Sequence, residues 1–160
     1  MSTQSTFVGP AISDYLSLER TIYMASASSK KKVIEFLAKT IAITIPQMTE
    51  SVLFDSFFQR ERLGSTAIGK GFALPHCRAK EIEQIVGCFI QLKEPIDFDA
   101  LDNQPVDLVF ALVVPFETTE LHLKVLSNIA EKFRQDAYVK KLRAAQSQED
   151  LFKLLTHVSP

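Results

Sequence analysis

The stretch that most constrains this chain is GSTAIGKGFALPH, residues 64–76, in which a glycine-rich loop leads through a short apolar segment to a Pro-His pair. It holds three of the five glycines of the chain. Glycine lets a backbone turn sharply or approach another group closely, and proline fixes φ immediately before the histidine. We therefore expect a loop and a short strand, Phe72–Leu74, that present His76 at the end of the strand.

The rest of the pattern alternates helices with strands, which is typical of a layered α/β fold. Residues 1–11 are expected to be a loose tail and residues 12–157 one domain, in which 12–18 form a short element of undecided type. Helices are predicted to begin after caps near Ser29, Thr49, Thr119 (or Thr118) and Ser147, with a short helix over Ala137–Ala144. Strands are predicted at Thr21–Met24, Phe72–Leu74, Gln84–Leu92 and Val106–Val114, the last of them central, with a turn over Pro95–Asp102.

Composition excludes several classes of protein. The net charge is −1 and the basic residues are scattered, which argues against a nucleic-acid partner. Two cysteines are too few for a disulfide scaffold. There is no signal-peptide pattern and no apolar run near the roughly 20 residues that span a bilayer. The sequence thus predicts a soluble cytoplasmic protein without membrane insertion.

His76 is the candidate nucleophile. An imidazole with a pKa near 6.5 is mostly neutral at pH 7, and its unprotonated nitrogen can accept a phosphoryl group. The alternative is an ordinary structural histidine. The glycine loop and the Pro-His pair favour the nucleophile.

Other motifs in the chain fail on their own requirements. Gly64-x4-Gly69-Lys70 approaches a nucleotide-binding loop, but Gly71 replaces the required Ser or Thr, and the expected order of strand and helix is reversed. Asp97, Asp99 and Asp102 resemble a calcium loop that lacks its glycine and its final glutamate.

Cys77 follows His76 directly, and strand neighbours point to opposite faces, so a Cys–His pair is not expected. His157 is expected at the surface. No metal and no cofactor are predicted.

Two further residues are candidates for holding a phosphate. His122 is in the first turn of a predicted helix, where backbone N–H groups favour anions, although a core histidine fits the same pattern. Arg60 is in the last turn before the glycine loop and could neutralise a phosphate, but Arg62 is equally plausible.

Taken together, these residues resemble the IIA proteins of the phosphoenolpyruvate-dependent phosphotransferase system, in the fructose–mannitol class. The matching pieces are RERLGST at 60–66, Gly69-x-Gly71, Leu74-Pro75-His76 and His122. The segment DNQPVDLVFALVVP, residues 102–115, is most similar to the nitrogen-regulatory branch.

The resemblance implies a single-domain mixed β-sheet with helices on both faces. It implies that His76 is phosphorylated, with His122 and Arg60 as the other active-site residues. It also implies transfer from a phosphohistidine carrier protein of the HPr or NPr kind, charged by enzyme I, without a cofactor. Family members often have glycine after the phosphorylated histidine, where this chain has Cys77.

The resemblance leaves the biological output open. One possibility is a regulator whose phosphorylation state is read by sensor kinases or potassium transport proteins, which the segment 102–115 favours. Another is a sugar-transport component that passes phosphate to a IIB domain. A third is an interaction module without chemistry, against which the presence of His76 argues.

Overall fold

The computed structural model describes residues 10–117 and 119–157, and within them six strands form one mixed sheet. The predicted tail lies almost entirely outside the described residues. The undecided element at 12–18 contributes to two single turns of 3-10 helix, Ile12–Asp14 and Leu18–Arg20.

The strands and helices follow the predicted alternation. The strands are β1 (Thr21–Ala25), β2 (Ala67–Gly69), β3 (Phe72–Ala73), β4 (His76–Ala79), β5 (Val86–Ile96) and β6 (Val106–Pro115). The helices are α1 (Lys30–Thr44), α2 (Glu50–Leu63), α3 (Glu120–Lys132), α4 (Asp136–Arg143) and α5 (Gln148–Thr156).

The strand β6 is central in the sheet, as predicted. It runs antiparallel to β5 and parallel to β3 and β4, while β1 adds to β5 and β2 to β3. The strands β3 and β4 follow one another along the same edge of β6, with Phe72 opposite Leu108 and His76 opposite Leu112. The line breaks at Pro75, whose carbonyl accepts a hydrogen bond from Leu112 N–H at 2.9 Å. This break separates the glycine loop and β3 from the strand that carries His76.

Alternating side chains of β6 supply both halves of the core. Val109, Ala111 and Val113 pack with α1 and α2 on one face of the sheet. Side chains of β6 on the other face pack with α3, α4 and α5, and among them are Leu108, Phe110 and Leu112. A strand buried on both faces needs no polar alternation. The predicted α/β architecture, a mixed sheet with helices on both faces, is confirmed.

Side-chain caps place the helix starts where the sequence predicts them. The hydroxyls of Ser29, Thr49 and Ser147 each accept a hydrogen bond from a backbone N–H in the first turn of α1, α2 and α5. These bonds satisfy donors that the helix itself leaves unpaired.

The sequence prediction was wrong at three places in the sheet. His76 does not end a strand with Phe72–Leu74 but begins the separate strand β4, and the short strand β2 was not predicted. The strand β5 continues through Pro95 to Ile96, where a turn was expected. Pairing with β6 is irregular between Gln91 and Ile96, and such an irregularity tolerates a residue without an N–H.

No helix among the described residues is both long enough and apolar enough to cross a bilayer.

Candidate active site around His76

Four elements, α2, β4, β6 and α3, line one open depression of about 550 Å³ beside the start of β4. Its charged or titratable lining groups are Arg60 from α2 and His76, Cys77 and Arg78 from β4. Its apolar lining comes from Leu63, Val114, Leu123 and Leu126. Since no carboxylate is found among the described residues that line it, the depression suits an anion.

The ring of His76 is held through Nδ1. This nitrogen lies 2.8 Å from the carbonyl oxygen of Leu74. A carbonyl oxygen can only accept a hydrogen bond, so Nδ1 carries the proton and Nε2 keeps its lone pair. The backbone at Leu74 thereby sets the tautomer of the neutral ring and leaves Nε2 as its nitrogen with a free lone pair.

The surroundings of His76 also favour the neutral ring. Burial lowers its pKa below the usual 6.5, and the positive charge of Arg60 acts in the same direction. The hydrogen bond to Leu74 and the negative charge of Glu61 oppose this shift without reversing it. A lowered pKa keeps the lone pair on Nε2 at neutral pH.

Of the two arginines that the sequence offered, Arg60 lies at the depression. Its Nη1 donates a 2.9 Å hydrogen bond to Gly64 O, which ties the guanidinium to the start of the glycine loop. Arg62 is exposed and does not line the depression.

His122 is not brought into the same depression. It borders a second depression of about 270 Å³ together with Asp14, Tyr15 and Glu83. Its Nδ1 accepts a hydrogen bond from the backbone N–H of Thr119 at 3.1 Å and so caps α3. The proton of the neutral ring is therefore on Nε2, which makes that atom a donor.

Cys77 borders the same depression as His76 but is buried. Its side chain packs in the core cluster formed with α1 and α2, and burial raises the pKa of its thiol to about 12. Because the thiolate is the reactive form, Cys77 is inert beside the candidate nucleophile. His157 is exposed at the end of α5, as predicted.

The tip of the glycine loop is held by Asp102, which the sequence suggested only for a calcium loop, and by Arg143, which was not a candidate. Asp102 accepts a 2.9 Å hydrogen bond from the backbone N–H of Lys70, and Arg143 Nη2 donates to Lys70 O at 3.0 Å. A Cβ on Gly71, which has φ near +81°, would lie 2.5 Å from that same nitrogen. The positive φ favours glycine at residue 71 whatever the space, and a side chain there would also displace the end of Arg143.

The carboxylates of Asp97, Asp99 and Asp102 do not form a calcium loop. Asp97 accepts from Asp99 N–H, Asp99 pairs with Lys30 at 2.6 Å, and Asp102 binds the glycine loop.

Glu61 is the residue at the site that sequence reasoning missed. Only 6% of it is exposed, although it is charged and next to Arg60. Its carboxylate accepts hydrogen bonds from the hydroxyl and the backbone N–H of Thr66, at 2.6 and 3.0 Å. The signal was present in the spacing, because Leu53, Phe57 and Glu61 recur every four residues and share the buried face of α2.

Residues 14–158 match the family described as phosphoenolpyruvate-dependent sugar phosphotransferase system, EIIA 2. The nitrogen regulatory protein of Escherichia coli (strain K12) is 41% identical over 146 residues, which cover 91% of this chain and 89% of that protein.

Solved structures agree with this match. The crystal structure of nitrogen regulatory protein IIA-Ntr from Neisseria meningitidis has a TM-score of 0.84 and 37% identity, over 91% of this chain and 99% of that one. The mannitol enzyme IIA of Escherichia coli, solved in complex with phosphorylated enzyme IIB, has a TM-score of 0.71 over 88% of this chain and 97% of that one. At 19% identity, this second likeness shows the fold alone.

Proposed function

Because the chain belongs to the EIIA 2 family of the phosphoenolpyruvate-dependent sugar phosphotransferase system, we propose that it is a phosphoryl carrier in which His76 accepts the phosphoryl group. The observation that carries the proposal is the 2.8 Å contact between His76 Nδ1 and Leu74 O. It leaves Nε2 as the unprotonated nitrogen in a depression lined by cationic and apolar side chains.

The transfer can be written without moving a proton. The lone pair of His76 Nε2 attacks phosphorus as the bond from phosphorus to the donor's ring nitrogen breaks. The donor ring, protonated at its other nitrogen, retains that bonding pair and becomes neutral. The ring of His76 becomes cationic, and its Nδ1–H continues to donate to Leu74 O, which stabilises the new charge.

Charge neutralisation and positioning supply most of what phosphoryl transfer requires. We assign neutralisation to Arg60, whose guanidinium lies at the depression and is oriented by Gly64 O. Backbone N–H groups near His76 are expected to assist it.

We assign to His122 the donation of a hydrogen bond from Nε2–H to a phosphoryl oxygen. Leu123 and Leu126, on the same helix, already line the depression of His76. The assignment requires α3 to approach His76 when a partner docks, because His122 borders the neighbouring depression.

The face around His76 is suited to a protein donor. Leu63 is 86% exposed and Leu123 is 60% exposed, and both line the depression. Two exposed leucines beside a nucleophile are typical of the apolar centre of a protein contact. The donor is inferred to be a phosphohistidine carrier of the HPr or NPr kind, itself charged by enzyme I.

The nitrogen regulatory relatives favour a regulatory output over sugar transport. In this proposal the phosphorylated and unphosphorylated forms bind regulatory partners, such as sensor kinases or potassium transport proteins, differently. The alternative is transfer onward to a IIB domain, which the complex of the mannitol protein with phosphorylated enzyme IIB illustrates on the same fold.

The test is incubation of the full chain with enzyme I, the carrier protein and labelled phosphoenolpyruvate. One phosphoryl group per chain is expected, in a bond that is lost in acid and stable in base. No labelling, or an acid-stable bond, would contradict the proposed function. Adding candidate IIB domains to the labelled protein then distinguishes the two outputs, since rapid loss of label to one of them supports sugar transport.

A further inference from the structure

A continuous line of hydrogen bonds connects a buried carboxylate to the ring of His76. Glu61 accepts from Thr66, the carbonyl of Thr66 accepts from Leu74 N–H at 2.9 Å, and the carbonyl of Leu74 accepts from His76 Nδ1–H at 2.8 Å. Three of the four residues, Glu61, Thr66 and Leu74, are at most 6% exposed. The line crosses from the end of α2 to the start of β4, the two elements that carry Arg60 and His76.

The polar contacts of Glu61 explain why a charge is tolerated there. Burying a carboxylate is unfavourable unless it is paired and hydrogen-bonded. Glu61 meets Thr66 Oγ1 at 2.6 Å, Thr66 N at 3.0 Å and Lys30 Nζ at 3.3 Å. Two of these three contacts are made to one residue, so the carboxylate fixes the position of Thr66 more than that of any other group.

Fixing Thr66 has a consequence for His76. The carbonyl of Thr66 accepts a hydrogen bond from the N–H of Leu74. The carbonyl of the same Leu74 orients the imidazole of His76. A shift of Thr66 would move Leu74 and lengthen the bond to Nδ1. A longer bond would allow the proton to move to Nε2, the atom that must be free to attack.

We propose that Glu61 is a positioning residue for His76, acting through Thr66 and Leu74 to keep the imidazole proton on Nδ1 and the lone pair on Nε2. The kinetic consequence of this role rests on the proposed function, whereas the tautomer of His76 does not depend on it.

The experiment uses four variants of the full chain. Glu61→Gln removes the charge at nearly constant shape. Thr66→Val replaces the hydroxyl with a methyl group and keeps the backbone contacts, while Thr66→Ser retains a hydroxyl. Asp99→Asn is the matched control, because Asp99 contacts Lys30 at 2.6 Å, as Glu61 does at 3.3 Å, but makes no contact with Thr66.

Two properties are measured on each variant. The tautomer of His76 is determined from long-range proton–nitrogen correlations of the imidazole in ¹⁵N-labelled protein. The rate of phosphoryl transfer from the phosphorylated carrier is determined by quenched-flow labelling. Circular dichroism confirms that each variant is folded.

We expect the wild type to carry its proton on Nδ1. Glu61→Gln and Thr66→Val should give a mixture of tautomers and slow transfer by about 10- to 100-fold, since small displacements of a reacting group have effects of this size. Thr66→Ser and Asp99→Asn should retain the wild-type tautomer and rate.

Wild-type tautomer in both Glu61→Gln and Thr66→Val would overturn the proposal, and so would equal effects of Asp99→Asn. If Glu61→Gln does not fold, Thr66→Val against Thr66→Ser decides. If the wild type accepts no phosphoryl group, the proposed function fails, and the tautomer measurements still decide the role of Glu61.

Discussion

The regions around His76 and His122 stabilise opposite tautomers of a histidine ring. At the start of β4, Nδ1 of His76 faces a carbonyl oxygen and must carry the proton. In the first turn of α3, Nδ1 of His122 faces a backbone N–H and must be unprotonated to accept its hydrogen bond. The first ring therefore presents a lone pair at Nε2 and the second an N–H donor. Backbone geometry thus gives each ring the tautomer that its proposed role, nucleophile or hydrogen-bond donor, requires.

The largest effect is expected from removing the nucleophile. His76→Ala should accept no phosphoryl group from the phosphorylated carrier, because no other imidazole lies among the described residues that line the depression. The fold should persist, since the half-buried ring contributes a single hydrogen bond to the backbone. Labelling and circular dichroism test both statements.

The exposed His157 provides the control for that variant. His157→Ala should label at the wild-type rate. Label on a folded His76→Ala protein would place the chemistry elsewhere, at Ser65 or His122 for example.

The next largest effect is expected at His122. His122→Ala should still accept label, but about a hundredfold more slowly, which is the typical cost of losing one donor to a developing charge. Loss of the bond to Thr119 N–H should also lower the free energy of unfolding by about 1 kcal/mol. Quenched-flow labelling measures the rate, and urea denaturation measures the free energy of unfolding.

His122→Glu separates the helix cap from the donor. A glutamate at this position can accept from Thr119 N–H as in a capping box, so stability should recover while the rate does not. Recovery of the rate together with stability would reduce His122 to a cap and remove the comparison on which its role depends.

A smaller effect is expected from Arg60, and it depends on pH. Burial and the charge of Arg60 lower the pKa of His76, so the wild-type ring stays neutral, and competent, to more acidic pH than a free imidazole. Transfer should be lost as pH falls through the lowered pKa. In Arg60→Gln the pKa should rise, which moves the acid limb of the rate profile to higher pH, and the rate at neutral pH should fall on the order of tenfold.

Arg62→Gln is the matched control, because Arg62 is on the same turn of α2 but does not line the depression. Its pH–rate profile should overlay that of the wild type. Equal shifts in the two variants would mean that general surface charge, rather than Arg60, sets the pKa of His76.

The smallest expected effect is none at all. The backbone of Lys70 is bonded to Asp102 and Arg143, and its ammonium lies 3.1 Å from Asp136. A loop engaged in this way is not expected to bind a nucleotide, so ATP with magnesium should leave the melting temperature unchanged. A saturable rise would show that the glycine loop has a ligand of its own.

The sequence predicted the long elements better than the short ones. Helix starts at Ser29, Thr49 and Ser147 follow from side chains that cap locally, and β6 follows from its continuous apolar run. The strands β2 and β4 have only three and four residues. Pairing with β3 and β6 defines them, and no local pattern contains that information.

The same distinction applies to the site. The Pro-His pair and the glycines made His76 a candidate from the sequence. The place before the loop left Arg60 and Arg62 equally plausible, and the family resemblance named Arg60. The tautomer of each histidine depends on which backbone group faces Nδ1, which only the folded chain determines. Glu61 was not among the candidates, although its spacing with Phe57 predicts burial.

The central claim, that Nε2 of His76 receives the phosphoryl group, is tested most directly on the wild-type protein. The ¹⁵N-labelled chain is phosphorylated by enzyme I, the carrier and phosphoenolpyruvate, and the phosphorus–nitrogen coupling is assigned to one imidazole nitrogen. Coupling to Nε2 of His76, with the proton retained on Nδ1, is the expected result. Coupling to Nδ1 of His76, or to any atom of another residue, would contradict the account.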